Sequence, residues 1–477
     1  MVPGVPSVPV VPAVPVPRTQ IVPPLVNEAG FVDVPPQLRG ARYSARMFYA
    51  FHAADEDPGS KPLFVFFNGG PGFATSGGLM AYGTGPMTLV DGSPSGTPPQ
   101  KNPASFSRFA NLLYVDERIS GFSYALRSET GALPDFGCKL SDVGDASDFA
   151  RVILAFLEGH PVLRGAPVVL VGESYGGVRA TSLLHLLFHY ADTTLAIPDE
   201  LRASIREHFE GIFPSSRHPF SSEQIATQFG AFVLIQPLVV GGLQFETQQS
   251  LIPKDPYLGP RYADSHYDAY DLSKPAGWAN ALDARAALAL GDANASAALV
   301  GVDLATVADL LPAARHDAVR PPLSVQRGDP SADGVANAAI AARLGELDPE
   351  DHYFATEAPS CDNTMNSMWN GWMGNWFLDD LRSARLFLTN ARWDSVIYTP
   401  AIPYLLQKAQ IPTRVDTDPR AGFARPGWIR IALPEIGSEP AQEVEIRFPG
   451  YDSAGHMVAA SQGPELADDV EQWLGTR

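Results

Sequence analysis

Cysteine is scarce in this chain of 477 residues, since only Cys138 and Cys361 occur. One possible pair gives no disulfide framework and does not fix the redox compartment, and we expect two buried thiols rather than a bridge. Long apolar runs are also missing, because no uninterrupted stretch reaches the roughly 20 residues that span a bilayer. The sequence therefore predicts a soluble mature chain without a membrane partner.

Basic side chains are also fewer than acidic ones. The chain has 34 basic and 53 acidic side chains, which gives a formal net charge of −19 at pH 7. A charge of this sign repels phosphate backbones and anionic membrane surfaces. Nucleic acids and lipid headgroups are therefore excluded as partners.

Residues 1–24 alternate valine with proline, a composition that favours an extended polyproline II arm. No basic segment followed by a continuous apolar run precedes the arm, so a secretory signal is either absent or already removed. We favour a secreted or periplasmic location, and a cytoplasmic location stays open. The arm is either a tether or a plain disordered leader.

Short apolar runs alternate with helical stretches from about residue 40 onward. This order predicts an α/β fold with a mostly parallel central sheet flanked by helices. The predicted strands are residues 63–67, 112–115, 168–171, 231–235, 386–389 and, more exposed, 444–448. Residues 25–240 and 372–477 form the two parts of the core, and alanine-rich residues 241–371 form an inserted helical cap over the ligand crevice.

The sequence Gly172-Glu173-Ser174-Tyr175-Gly176 stands between a predicted strand and a predicted helix. This context is that of the nucleophile elbow in an α/β-hydrolase fold, where a tight turn exposes a serine above the sheet. An ordinary glycine-rich turn is the alternative, because G-x-S-x-G also arises by chance. The context favours Ser174 as a nucleophile.

A serine hydroxyl needs a histidine base and an acid that orients it, and this fold supplies them in the order Ser, Asp or Glu, His. Of the ten histidines, only His456 lies beyond residue 352. Asp394 follows the strand predicted at 386–389, whereas Asp379 and Asp380 precede it. His456 and Asp394 are the predicted partners of Ser174, although an aspartate in such a loop is often a turn cap.

Several motifs in the same order resemble the serine carboxypeptidase family. They are residues 68–72 (NGGPG), 116–124 (DERISGFSY), 172–177 (GESYGG), Asp394 with Thr399-Pro400 behind it, and 455–458 (GHMV). The resemblance implies a triad of Ser174, Asp394 and His456. It also implies an oxyanion hole formed by the backbone amides of Gly70 and Tyr175, with no metal and no organic cofactor.

The resemblance further implies that Asn68, the Gly69 amide and Glu173 bind the free carboxylate of a peptide. Two like charges at hydrogen-bond distance cannot both ionise comfortably, so activity should favour mildly acidic pH. Alternatively, Glu173 is a structural acceptor in the elbow. The expected substrate is a peptide or a small acyl compound, and the oligomeric state is left open.

Three departures from the family pattern bear on specificity. Gly83 stands where the family has a second carboxylate-binding glutamate, and residues 117–120 replace the usual proline and first glycine, which would reshape the pocket wall. The multiple disulfides of eukaryotic members are also missing, so we expect a divergent bacterial-type member. Three hypotheses follow: a carboxypeptidase; an esterase or acyltransferase with the same triad, as in some plant relatives; and a non-enzymatic binding protein on a hydrolase scaffold.

Overall fold

The computed structural model describes residues 25–38, 40–69, 74–89, 98–118, 120–126, 142–239, 250–255, 310–312, 376–392, 397–408, 410–415, 427–435 and 439–475, together with the isolated residues 244, 247, 307 and 394. The arm predicted at residues 1–24, both cysteines and most of the cap predicted at 241–371 lie outside these ranges. The division of the chain into these parts stays a prediction.

The strands are β1 (Glu28–Val34), β2 (Ala45–His52), β3 (Leu63–Phe67), β4 (Met87–Thr88), β5 (Gln100–Lys101), β6 (Asn111–Val115), β7 (Tyr124–Ala125), β8 (Val168–Glu173), β9 (Ala231–Ile235), β10 (Arg385–Leu388), β11 (Asn390–Ala391), β12 (Thr413–Val415), β13 (Trp428–Leu433), β14 (Gln442–Arg447) and β15 (Gly450–Tyr451).

The α-helices are α1 (Asp142–Gly159), α2 (Gly176–Phe188), α3 (Asp199–Ile212), α4 (Ser222–Phe229), α5 (Trp376–Asp380), α6 (Ile402–Lys408), α7 (Val458–Ser461) and α8 (Gly463–Gly475). Residues Ser76–Thr84 form a π-helix. Short 3₁₀ turns cover Pro58–Ser60, Phe106–Arg108, Ile252–Lys254 and Thr399–Ala401.

One large sheet organises the described residues, in the strand order β1-β2-β6-β3-β8-β9-β10-β14-β13-β12. The central strands from β6 to β14 pair in parallel. The strands at both edges of the sheet pair antiparallel, with β1 and β2 at one edge and β12 and β13 at the other. This mostly parallel sheet with flanking helices is an α/β-hydrolase fold, as the sequence predicts.

The predicted buried strands are confirmed within one or two residues at each end. Residues 63–67 and 231–235 match β3 and β9, because uniformly apolar runs of this length suit strands that are buried on both faces. β8 extends to Glu173, so the strand continues up to the residue before Ser174. The segment 444–448 is shifted, since β14 begins at Gln442.

The two faces of the sheet carry separate apolar cores. Val65 and Phe67 of β3 belong to one core with α1 to α6, whereas Phe64 and Phe66 belong to the other with the π-helix, α7 and α8. Alternate side chains of a strand point to opposite faces, which explains the division. In the described part of the chain, no helix is long and apolar enough to cross a bilayer.

Candidate active site

Ser174 lies at a sharp turn between β8 and α2. Its φ angle is 57°, in the left-handed region that residues with a Cβ seldom adopt. Its amide donates to Ile235 O (3.0 Å), and its carbonyl accepts from Leu238 N (2.8 Å) and Gly177 N (2.9 Å). These bonds hold the strained turn against the end of β9, which is the geometry of a nucleophile elbow.

Two glycines let neighbouring backbone segments approach Ser174, because glycine has no Cβ. A Cβ at Gly176 would lie 2.4 Å from Phe67 O, so α2 could not begin so close to the end of β3. A Cβ at Gly69 would lie 2.5 Å from Ser174 Cβ and 2.8 Å from Tyr175 N. The loop after β3 therefore passes directly over the elbow only because residue 69 is glycine.

Asp394 and His456, the predicted partners of Ser174, lie side by side. His456 Nδ1 is 2.8 Å from Asp394 Oδ2, and the Asp394 side chain is completely buried while that of His456 is 11% exposed. Asp394 Oδ1 accepts from Ile397 N at 3.0 Å. Because a carboxylate only accepts, Nδ1 donates to Asp394, and in the neutral form of the ring Nε2 then carries the lone pair.

Gln236 holds Asp394, a role that the sequence analysis missed. Its Nε2 donates to Asp394 Oδ2 at 2.8 Å, the atom that also contacts His456. Its Oε1 accepts from Thr389 Oγ1 (2.9 Å) and Ala391 N (2.9 Å), and its own amide donates to Thr389 Oγ1 (2.8 Å). Gln236 is fully buried with a φ of 43°. Its position directly after the parallel strand β9 was the available signal.

Five of the other described histidines have hydrogen-bond partners away from this site, and His52 packs against the Tyr114 ring. His185 and His189 contact Asp380, His160 contacts Phe156 O, His208 contacts Gln228, and His218 contacts Glu210. Asp379 and Asp380 lie in α5, ahead of β10. His456 with Asp394 is therefore the histidine–carboxylate pair at the carboxyl ends of the parallel strands.

Ser174 Oγ makes no hydrogen bond within the described part of the chain. Catalytic hydrogen bonds are often long in free enzymes and tighten when substrate binds. The contact between this hydroxyl and the His456 ring is therefore an expectation for the reacting complex.

Asn68 and Glu173, predicted to bind a carboxylate, lie side by side. Asn68 Nδ2 donates to Glu173 Oε1 at 2.8 Å, and Asn68 Oδ1 accepts from Leu79 N at 2.8 Å. Both side chains are buried. Asn68 thus fixes Glu173 and also holds the π-helix, which fits either the binding role or the structural role of Glu173.

Of the predicted oxyanion donors, Gly70 lies outside the described residues and Tyr175 lies at the start of α2. Within the described part of the chain, the Tyr175 amide donates to no acceptor. The loop carrying Gly70 is anchored just beyond it, where Ser76 N and Ser76 Oγ donate to the two oxygens of Asp116 (2.8 and 2.7 Å). Burial raises the pKa of Asp116 to about 6, against the effect of these hydrogen bonds.

A buried ion network supports α2 behind the elbow. Arg179 donates to Asp145 Oδ2 at 2.6 Å, to Glu117 and to Asn68 O at 2.5 Å. Its guanidinium also lies 5.1 Å from the centre of the Tyr175 ring. One arginine therefore links α1, the loop after β6 and the loop after β3.

The replacements at residues 117 and 118 do not line a pocket wall, contrary to the prediction. Neither Glu117 nor Arg118 has exposed surface. Glu117 pairs with Arg179, and Arg118 forms a two-pronged pair with Asp148, its Nε and Nη2 each 2.9 Å from a carboxylate oxygen. Charged side chains can occupy positions 117 and 118 because each is paired with a buried side chain of opposite charge. Ile119 lies outside the described residues, and Ser120 is buried.

Gly83, at the position of the family glutamate, is packed against α7. A Cβ there would lie 2.8 Å from Ala459 Cβ, and Gly83 O accepts from Asn102 Nδ2 at 2.8 Å. A glutamate would require α7, which follows His456, to move. The packing of Gly83 against α7 therefore accounts for the absence of a glutamate at this position.

The comparisons with known proteins match the first part of the chain. Residues 17–198 match the serine carboxypeptidase family model. The matched segment includes Ser174 but not Asp394 or His456, so the placement of those two depends on the geometry above. The bacterial-type origin stays a prediction.

The curated relatives are similar over a limited part of the chain. "Serine carboxypeptidase-like 10" of Arabidopsis thaliana is 28% identical over 164 residues, which covers 34% of this chain and 34% of that protein. "Pheromone-processing carboxypeptidase KEX1" of Phytophthora infestans is 34% identical over 142 residues, covering 28% and 22%. The chain thus matches about a third or less of these relatives' length.

Among solved structures, the KEX1 prohormone-processing carboxypeptidase of Saccharomyces cerevisiae aligns over 94% of this chain and 91% of its own, with 14% identity and a TM-score of 0.48.

Proposed function

We propose that the chain is a serine carboxypeptidase-like hydrolase that removes C-terminal residues from peptides through an acyl-enzyme at Ser174. The observation that carries the proposal is the Asp394–His456 hydrogen bond of 2.8 Å, at the sheet edge where the strained Ser174 turn lies. If Ser174 meets His456 in the reacting complex, the three residues are the nucleophile, base and orienting acid that acyl transfer by a serine uses.

In this mechanism His456 is the general base. Its Nδ1–H donates to Asp394, so Nε2 is the nitrogen that accepts a proton from Ser174. The proton moves to Nε2 while Ser174 Oγ attacks the scissile carbonyl carbon. The C–N bond then breaks, and His456 returns the proton to the leaving amine. Water, activated by the same nitrogen, releases the acid from Ser174. Asp394 keeps the ring oriented and balances the imidazolium.

Negative charge on the carbonyl oxygen would be bound by backbone amides. The Tyr175 amide at the N-terminus of α2 is suited to this because no described residue accepts its proton, and Gly70 would supply the second donor. Losing one such donor typically costs about 3–4 kcal/mol of transition-state stabilisation.

A free C-terminal carboxylate would be recognised by Asn68, the Gly69 amide and Glu173. Glu173 lies 2.8 Å from Asn68 Nδ2, so both groups can face one ligand. A carboxyl group that donates to a substrate carboxylate must be protonated, and we therefore expect higher activity at mildly acidic pH.

A peptide ladder tests the exopeptidase activity. Blocked peptides with a free C-terminus and the same peptides as C-terminal amides are incubated across pH 4–8 and followed by mass spectrometry. We expect stepwise loss of C-terminal residues from the free acids, little from the amides and none with Ser174→Ala, while Ser204→Ala on the exposed side of α3 behaves as wild type. Cleavage at internal bonds alone, or equal cleavage of acids and amides, would contradict carboxylate recognition.

A second candidate, esterase or acyltransferase activity with the same triad, is favoured by Gly83. Because Ala459 occupies the space beside residue 83, that position cannot supply the family's second acid for a carboxylate ligand. Neutral esters with and without an added alcohol or amine distinguish the reactions. A transfer product that forms faster than free acid would support the acyltransferase, and free acid alone would support a hydrolase.

A further inference from the structure

Three metal-ligating side chains converge at the end of α2 that is remote from Ser174. His185 and His189 are one helical turn apart and face Asp380, the last residue of α5. His185 Nδ1 is 2.8 Å from Asp380 Oδ2, and His189 Nε2 is 2.7 Å from Asp380 Oδ1. Their donor atoms lie within 4.8 Å of one another.

The donor set suits zinc. Two imidazole nitrogens and a carboxylate oxygen are common Zn²⁺ ligands, held at about 2.0–2.2 Å in a tetrahedron that leaves one position for water. Tetrahedral bonds of that length place the ligand atoms about 3.3 Å apart. The nitrogen–oxygen distances need to widen by only about half an ångström, while the helical spacing already brings the rings together.

Burial and charge also favour a cation at this place. The Asp380 side chain is 2% exposed, whereas that of His189 is 39% exposed, so the cluster has a buried anion and an open side. Asp192 and Asp379 add negative potential at His189. A buried carboxylate needs a compensating charge, which a metal ion provides.

We propose that His185, His189 and Asp380 hold a Zn²⁺ ion with a water as fourth ligand. The ion would clamp the end of α2 to α5, immediately ahead of β10. His185 lies eleven residues beyond Ser174, roughly 16 Å along a helix, so the ion would stabilise the scaffold without touching the reacting atoms. The resemblance to the serine carboxypeptidase family implies no metal, and this site departs from that expectation.

Zinc binding to the full chain tests the proposal. Protein stripped with a chelator is titrated with ZnCl₂ by calorimetry and heated with and without Zn²⁺. We expect one equivalent bound, a higher melting temperature with Zn²⁺, and at least a hundredfold weaker binding in His189→Ala. Visible absorption of Co²⁺ in place of Zn²⁺ should report a tetrahedral nitrogen–oxygen site in the wild type and not in His189→Ala.

Two further variants separate the site from folding and from other metal ligands. Asp380→Asn keeps the shape and an acceptor but loses the charge, so it should fold by circular dichroism and bind Zn²⁺ poorly. His218→Ala, which removes a histidine paired with the single carboxylate Glu210, should bind as wild type does. Absence of stoichiometric binding in the wild type, or binding by His189→Ala and Asp380→Asn as tight as that of the wild type, would overturn the proposal.

Discussion

At the residue scale, Gln236 is a positioning residue for the proposed triad. It reaches Asp394 through Nε2 and is itself fixed by Thr389 and Ala391. Without it, Asp394 Oδ2 would keep the His456 contact but lose the donor that sets its direction. The orientation of His456 thus depends on a buried amide.

The Gln236→Ala variant should lower kcat about ten- to hundredfold while KM stays near the wild-type value. A hydrogen bond to a charged group contributes about 1.5–3 kcal/mol, and each 1.4 kcal/mol corresponds to a factor of ten. Steady-state kinetics on a peptide or ester checks the result.

Gln228→Ala is the matched control for that measurement. Gln228 is also a buried glutamine with two partners, His208 and Arg164 O. Its loss should lower the melting temperature and leave kcat unchanged. Equal kcat values for Gln236→Ala and the wild type would contradict the positioning role.

At the element scale, strand positions could be predicted and their side-chain partners could not. β3 and β9 could be predicted from the sequence because every residue in them is apolar. The contact of α1 with α2 could not be predicted, because it depends on Asp142 meeting Tyr175 at the start of α2 and on Asp145 meeting Arg179 within it. Spacing on one helix shows which residues share a face, but not what faces them.

Asp142 should make stability depend on pH. Burial raises the pKa of its carboxyl to about 6, although the Tyr175 hydroxyl donates to it at 3.1 Å. The folded state therefore holds the proton more tightly, so the stabilisation is full below about pH 4 and is lost as pH rises through 6. The wild type should lose up to about 3 kcal/mol relative to Asp142→Asn between pH 4 and 7.

Denaturant unfolding at several pH values measures that difference. Thr181→Ala on α2, whose hydroxyl contacts only backbone carbonyls, is the control, and its difference from wild type should not vary with pH. A wild-type advantage over Asp142→Asn that grows with pH would have the wrong sign for a raised pKa.

At the scale of the whole molecule, Arg118 joins distant segments. It binds Asp148 in α1 and the backbone oxygens of Pro35 and Tyr43, and Gln37 Nε2 donates to the same aspartate at 2.8 Å. The residue after β1, the approach to β2, the loop after β6 and α1 are thus held by one cluster. No local pattern predicts such a cluster, because its members are far apart in sequence.

Asp148→Ala should destabilise the protein by about 3–5 kcal/mol, because it leaves the buried Arg118 charge without its countercharge. Glu443→Ala, which breaks an exposed pair with Arg414, should cost less than about 1 kcal/mol. Denaturant unfolding gives both values. Arg118→Met combined with Asp148→Leu should recover most of the loss, and a double variant as unstable as Asp148→Ala would contradict the electrostatic explanation.

The catalytic account and the binding-protein alternative differ most directly in one reaction. A fluorophosphonate probe should form one covalent adduct with the wild type, mapped by mass spectrometry to Ser174. Ser174→Ala should not react, and His456→Ala should react far more slowly. No adduct on the folded wild type, or equal labelling of Ser174→Ala, would contradict the assignment of Ser174 as the nucleophile.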